Sequence, residues 1–258
     1  MKRKSFLKSI FGAGALLSVP YCSNPEKLDE INSHIKSVSG KCKGNMVGFK
    51  SPAIDKVKVG LIGIGNRGKT LIQMFDWLIE NEKAEIVALC DLDQKNIDYA
   101  INHLVEKQKE TPKTFANGEN DWKNLVKLEE VDMLLIATPW EWHTPMALFG
   151  MENGKHVASE VPIAYTMEDC VKLVQTTERT KKHCIMIENC CYNREELWIT
   201  NMIQEGVFGE LTHAECAYNH DLRALLLHET YYKNQWRMKH HTERNGNFYT
   251  THGIGPVS

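Results

Sequence analysis

The sequence predicts an α/β chain: a doubly wound parallel sheet followed by the start of an α+β open-sheet domain. Three observations carry this. β-rich runs alternate with helical periodicities from Val57 to Glu188. One run, Val131 to Ala137, is nearly unbroken apolar, as a parallel strand covered on both faces must be. The first run leads into Gly63-Ile64-Gly65-Asn66-Arg67-Gly68 and a helical pattern. Composition agrees but adds little. The chain has 258 residues, 42% hydrophobic and 25% charged, which is ample for a core and too apolar for disorder. A net charge of -2 gives no support to nucleic-acid binding. The 8 cysteines show neither CxxC nor Cys/His zinc spacing, so no metal site is expected.

Residues 1–22 read as a leader. Lys2, Arg3 and Lys4 form a basic start, and the apolar stretch Ile10 to Val19 falls short of the ~20 residues of a membrane span. Arg3-Lys4-Ser5-Phe6-Leu7-Lys8 is similar to a twin-arginine export signal, which predicts an exported protein of the periplasm or cell envelope. Cys22 is a candidate lipid anchor behind a poor lipobox, Val19-Pro20-Tyr21. Residues 23–55 are polar, carry Gly40, Gly44 and Gly48, and predict a tether or irregular arm.

Residues 56–190 predict the nucleotide-binding half. A strand at Val57 to Ile62 precedes the glycine turn. Leu71, Ile72, Met74, Phe75 and Leu78 then recur at helical spacing, and a second strand, Ala84 to Leu89, ends in Cys90-Asp91. That order of strand, glycine turn, helix, strand and acid is a dinucleotide-binding Rossmann unit. Gly63 permits the tight turn, Gly65 lets backbone approach a pyrophosphate, and Gly68 lets the helix sit close to the strand. The helix N-terminus then faces the phosphates. Asp91 accepts from a ribose hydroxyl and repels a 2′-phosphate, favouring NAD over NADP. Further on, a helix is expected from Pro145 to Asn153, a strand from His156 to Ser159, a helix capped by Thr166-x-x-Asp169, and a strand from Cys184 to Glu188. Carboxyl ends of such strands line the ligand crevice, which gathers Trp140, Glu141, Trp142, His143, Glu160 and Asn189 near the nicotinamide end. Residues 191–258 are few for a core of their own, and they stop at Gly255-Pro256-Val257-Ser258; an incomplete chain is expected.

At Thr138-Pro139 and Glu160-x-Pro162 the chain resembles the Gfo/Idh/MocA oxidoreductases, whose dehydrogenases usually carry Glu-Lys-Pro at the second motif, the lysine assisting proton transfer. Val161 stands in that place and cannot titrate. Longer strings resemble one branch, glycoside hydrolase family 109, the NAD-dependent α-N-acetylgalactosaminidases. They are Trp140-Glu141-Trp142-His143, Glu188-Asn189-Cys190-Cys191-Tyr192, Tyr218-Asn219-His220-Asp221-Leu222-Arg223, Trp236-Arg237, His240 to Asn247, and Tyr249-Thr250-Thr251-His252-Gly253-Ile254-Gly255-Pro256.

The resemblance implies a glycosidase that spends no cofactor. Hydride passes from sugar C3 to NAD, the resulting ketone acidifies the C2 proton, elimination expels the aglycone, water adds to the alkene, and returned hydride restores the alcohol with retention. It also implies site residues. His252, Tyr249 and Tyr192 are the catalytic candidates. Gly63, Gly65, Asn66, Arg67, Gly68, Asp91, Trp140, Glu141, Trp142, His143, Glu160, Val161, Asn189, Arg237 and Tyr249 are expected at the cofactor. Tyr218, Tyr249, Thr250, Thr251 and His252 are expected at a sugar with terminal N-acetylgalactosamine. His252 suits the 3-hydroxyl proton near neutrality, and Tyr249 or Tyr192 the C2 proton, since a tyrosine beside a cation such as Arg237 ionises more readily. A sugar oxidoreductase with net cofactor turnover and a non-catalytic NAD-binding fragment are the competing readings. Oligomeric state is open.

Overall fold

The computed structural model describes residues 42–258 together with Asp29, Ser33 and Ser37. The expected leader and Cys22 lie outside the described residues. Contacts divide the chain into Met1–Lys43 and Gly44–Ser258, and the second unit holds the sheet and the candidate site.

Six parallel strands form one sheet in the order β3-β2-β1-β4-β5-β6: β1 (Val57–Ile62), β2 (Ala84–Cys90), β3 (Lys113–Phe115), β4 (Met133–Ile136), β5 (His156–Ser159) and β6 (Cys184–Met186). The order reverses between β1 and β4, which opens a crevice at the carboxyl edge there. The connecting helices are α1 (Asn66–Glu80), α2 (Gln94–Leu104), α3 (Trp122–Val126), α4 (Trp140–Glu152) and α5 (Met167–Thr180). They cover both faces. Val59, Leu61, Ile72, Ile86, Ile97 and Leu104 close one core, and Ile62, Leu125, Leu134, Ile136, Met151 and Val157 close the other. A strand buried on both sides needs an unbroken apolar run, as in β4; β1 is interrupted by Lys58 and becomes fully buried only from Val59.

Two details differ from expectation. α4 begins at Trp140, a turn before Pro145. Proline removes the N–H that would reach the Glu141 carbonyl, yet the helix has already been started at Pro139, whose carbonyl accepts from Trp142 N–H at 3.0 Å. The Trp140-to-His143 string therefore occupies a helical turn. β6 stops at Met186 because Glu188 turns the chain into a 3₁₀ segment, Asn189–Tyr192, capping it with a hydrogen bond from Cys190 N–H at 3.0 Å. The capping of α5 is as expected, Thr166 Oγ1 accepting from Asp169 N–H at 3.2 Å.

Residues of the expected arm fall in both units. Asp29, Ser33 and Ser37 are helical. Gly44 and Asn45 N–H groups donate to Glu178, and Lys181 Nζ reaches Asn45 Oδ1 at 2.7 Å, so this stretch is clamped to the end of α5. Beyond the 3₁₀ segment come α6 (Arg194–Gln204), α7 (Arg223–Leu226), α8 (Trp236–Glu243) and α9 (Thr250–Val257). Among the described residues from 193 onward there is no strand.

Candidate active site

The glycine turn is built as its spacing demands. Gly63 sits at φ +91, and its N–H closes the turn on the Cys90 carbonyl at 2.8 Å. A Cβ on Gly68 would lie 2.1 Å from the Gly63 carbonyl oxygen, whereas one on Gly65 would meet nothing within 4 Å. The N-terminus of α1 has no side-chain cap and no acid in its first turn. Its first N–H groups and the open face of Gly65 thus fit a pyrophosphate. Asp91 stands beside this turn. Its carboxylate accepts from Ile64 N–H at 2.6 Å, Asp93 N–H at 2.8 Å and Asn96 Nδ2 at 3.1 Å. Those bonds aim it and leave capacity for a ribose hydroxyl.

Other expected cofactor residues spread along the same edge. Arg67 Nε pairs with buried Glu160 at 2.6 Å, tying the glycine turn to the end of β5. Asn66 Nδ2 donates to the Tyr231 carbonyl at 3.3 Å, and Lys233 pairs with Asp93 at 3.1 Å, so the segment before α8 leans on the turn. His143 is 1% exposed, with Nδ1 at 2.8 Å from the Pro162 carbonyl and Nε2 at 2.7 Å from that of Thr138. It braces the ends of β4 and β5 and has no nitrogen left for a ligand. Burial pushes its imidazole down against those two carbonyls. Val161 is buried, Trp142 packs against a core, and Glu141 lies 3.6 Å from His240. Asn189 opens the 3₁₀ segment.

Trp140, 3% exposed, is the hub of an aromatic cluster. Its ring meets Trp236 at 5.4 Å, His240 at 4.9 Å and Tyr249 at 5.5 Å. Into this cluster comes Arg237, 6% exposed, its guanidinium 5.2 Å over Trp140, 5.0 Å over Tyr232 and 4.5 Å over Tyr249. Nη1 donates to Tyr232 Oη at 2.6 Å, while Nε and Nη2 find no acceptor among the described residues. A buried cation with two unused donors suits an acceptor-rich ligand. Asn234 and Gln235, just ahead, hold φ of 57 and 49, a strained pair of the kind that marks functional segments.

Tyr249 and His252 lie one turn apart at the start of α9 and stack at 4.8 Å with planes 5° apart. Tyr218 leans on His252 at 4.4 Å and on Tyr249 at 5.9 Å. Burial pushes the Tyr249 phenol up to about 12 despite Arg237 at its face. The expectation that the cation would ionise this tyrosine is therefore reversed: desolvation outweighs the charge. Thr251 Oγ1 is buried against the Glu188 carboxylate, and Thr250 opens the helix. Tyr192 is 68% exposed on the 3₁₀ segment, outside the ring cluster.

Sequence reasoning missed Glu188. It is 3% exposed, and its Oε1 lies 2.5 Å from His252 Nδ1. Burial drives its carboxyl up, but the bonds from His252 and Cys190 N–H prevail and hold it below the usual carboxylate range. Its place just after β6, at the crevice edge, was the available signal. Cys190 brings a third ligand atom within 4.8 Å of that pair. With Nδ1 already spent on the carboxylate, the trio is organised as a hydrogen-bonded pair beside a thiol.

Residues 57–188 match the family described as oxidoreductase family, NAD-binding Rossmann fold (Gfo/Idh/MocA). The chain belongs to that family. Residues 192–258 match the glycosyl hydrolase 109 C-terminal domain. A relative from Shewanella baltica (strain OS195), named glycosyl hydrolase family 109 protein, is 42% identical over 99% of this chain and 54% of its own length. One of the same name from Shewanella putrefaciens is also 42% identical, over 99% of this chain and 54% of its own length. The chain thus spans about half the length of the curated relatives it matches. The fold is shared with scyllo-inositol dehydrogenase from Lactobacillus casei, solved with NAD(H) and scyllo-inositol. There the TM-score is 0.53, with 20% identity over 61% of this chain and 43% of that one. An NAD-binding oxidoreductase from Klebsiella pneumoniae gives 0.52, with 23% identity over 60% and 40%. The cofactor of this domain is NAD.

Proposed function

We propose that the chain provides the cofactor and proton-transfer machinery of an NAD-dependent glycosidase, which releases terminal α-linked N-acetylgalactosamine by a redox-neutral route with retention. The observation that carries this reading is the His252 ring, backed by buried Glu188 and stacked on Tyr249, at the carboxyl edge that also bears the open glycine turn. Gly65, the first N–H groups of α1 and Asp91 hold the cofactor, and Arg67, Glu160 and Asn189 border it. Bound NAD supplies a hydride acceptor, and later donor, at the sugar C3.

The remaining steps belong to side chains of this protein. His252 accepts the 3-hydroxyl proton and returns it at the end of the cycle. Tyr249, protonated at neutral pH, acts as a hydrogen-bond donor and a wall for the sugar. Tyr192, carried on the 3₁₀ segment that Glu188 caps, is the tyrosine the resemblance offers as the base at C2. Arg237 uses its spare donors on the substrate or cofactor and stabilises negative charge as C2 loses its proton. Val161, in place of a titratable lysine, argues against an ordinary sugar dehydrogenase with net cofactor turnover. The leader reading extends the proposal: export of a folded, NAD-loaded protein, with its cysteines reduced at folding and Cys22 as the candidate lipid anchor.

The test is cleavage of an aryl α-N-acetylgalactosaminide by the purified chain without added cofactor. Cleavage with NAD recoverable on denaturation, and without NADH accumulating, is expected. A requirement for stoichiometric NAD would favour the oxidoreductase, and bound NAD without cleavage would leave a cofactor-binding fragment.

A further inference from the structure

A short hydrogen bond of 2.5 Å joins Glu188 to His252. These residues are 64 positions apart, one closing β6 and the other on the first turn of α9. A carboxylate only accepts, so the hydrogen between them sits on His252 Nδ1. The tautomer of a neutral imidazole is set by the bond its other nitrogen makes. We infer that Glu188 is the positioning residue of this site, fixing His252 in the Nδ1–H tautomer so that Nε2 is the nitrogen free to take the substrate proton. This deepens the reading above and rests on it for the identity of that proton.

Three features make the device specific. Glu188 is anchored independently of His252, because the same carboxylate caps the 3₁₀ segment through Cys190 N–H at 3.0 Å. Its orientation is therefore set by the sheet edge and imposed on the helix. One oxygen, Oε1, accepts from both the ring and Cys190 N–H, and the Thr251 hydroxyl lies against the same carboxylate, so the group is held from three sides. The rings of Tyr249 and Tyr218 pack against His252 and resist its rotation. Positive charge that builds on the ring during proton transfer lies against an ionised carboxylate, and Glu188 is held in that form at neutral pH.

The experiment reads the tautomer directly. Long-range 1H–15N correlation spectra of the EDTA-treated full chain report which nitrogen of His252 carries hydrogen, with His252→Ala assigning the signal. Protonation at Nδ1 in the unsubstituted protein, moving toward Nε2 in Glu188→Ala, is expected. Glu188→Gln, whose amide oxygen still accepts, keeps most of the Nδ1–H form. A wild-type spectrum with hydrogen on Nε2 overturns the inference, and so does an unchanged tautomer in Glu188→Ala. The glycosidase assay separates this from the functional reading. Glu188→Ala is expected to lower kcat by about 10- to 100-fold with KM and bound NAD little changed, and Glu188→Gln to recover part of the loss. Equal loss in both variants, or loss of NAD, would make Glu188 merely structural. Full activity in His252→Ala would refute the proposed function even with the tautomer as expected.

Discussion

Gly65 and Gly68 lie three residues apart in one turn, and the structure predicts opposite consequences of adding a single methyl at each. In Gly68→Ala the new Cβ starts 2.1 Å from the Gly63 carbonyl oxygen, a backbone atom that cannot rotate away. To reach ordinary contact α1 must retreat from β1 by about 1.3 Å. Overpacking of this kind costs about 3 kcal/mol at the upper end of its usual range, and the better helix propensity of alanine returns about 1 kcal/mol. The net loss of about 2 kcal/mol corresponds to a Tm lower by about 4–8 °C. In Gly65→Ala the methyl meets no protein atom within 4 Å, and the residue sits at φ -70, ψ -160, which alanine adopts freely. Stability should fall by less than about 1 kcal/mol, the difference between the two residues at an N-cap. NAD affinity should fall by at least about tenfold, or about 1.4 kcal/mol, because the methyl fills the space through which backbone approaches the pyrophosphate. Scanning fluorimetry and NAD titration calorimetry on both variants provide the data. Unimpaired NAD binding by Gly65→Ala would refute the placement of the cofactor on this turn, and an unshifted Tm in Gly68→Ala would refute the tight packing of α1 against it.

Two further substitutions and one labelling experiment test other features of the molecule. His252→Ala should lose about 100- to 10,000-fold in turnover with NAD still bound, the contribution of one acid–base group; retained turnover removes it from the mechanism. Asp91→Ala should weaken NAD binding and relax discrimination against NADP, since it deletes the acceptor beside Ile64 N–H; an unchanged preference in competitive titration would mean the ribose is read elsewhere. Burial pushes the Cys90 and Cys184 thiols up to about 12, so neither supplies thiolate near pH 8, whereas Cys216 is exposed. Mass spectrometry after brief iodoacetamide treatment should find Cys216 alkylated and Cys90 intact, and rapid modification of Cys90 would contradict its packing.

The parts of the fold that were legible in the sequence are those governed by local pattern. β4 announces itself as an apolar run, β1 as a β-rich stretch ahead of the glycine turn, and the turn by spacing, because a tight turn, close helix packing and phosphate access each restrict side-chain size at a fixed offset. β3 does not. It has three residues, two of them exposed, and is held in place by β2 rather than by any periodicity of its own. The early start of α4 was hidden because Pro145 reads as a helix boundary while the turn from Pro139 depends on backbone hydrogen bonding. At the site, Tyr249 and His252 were visible only as members of a string that resembles one family, and the structure places them one helical turn apart. The Glu188 contact was not visible, since it joins residues from two elements, and neither was the elevated Tyr249 phenol. Proximity to Arg237 suggested the opposite shift, and only the packing of Trp140, Tyr218 and Tyr232 around the pair shows that desolvation decides it.

The redox-neutral route has one chemical signature that direct displacement at C1 lacks: the hydrogen at sugar C2 is removed by a side chain and replaced from solvent-exchangeable protons. Hydrolysis of an aryl α-N-acetylgalactosaminide by the purified chain in D2O, with the released sugar examined by NMR, tests it directly. The account predicts deuterium at C2 and none at C3, where the hydride is returned rather than exchanged. Sugar released with protium retained at C2 would contradict the elimination route and, with it, the roles assigned to Tyr192 and His252.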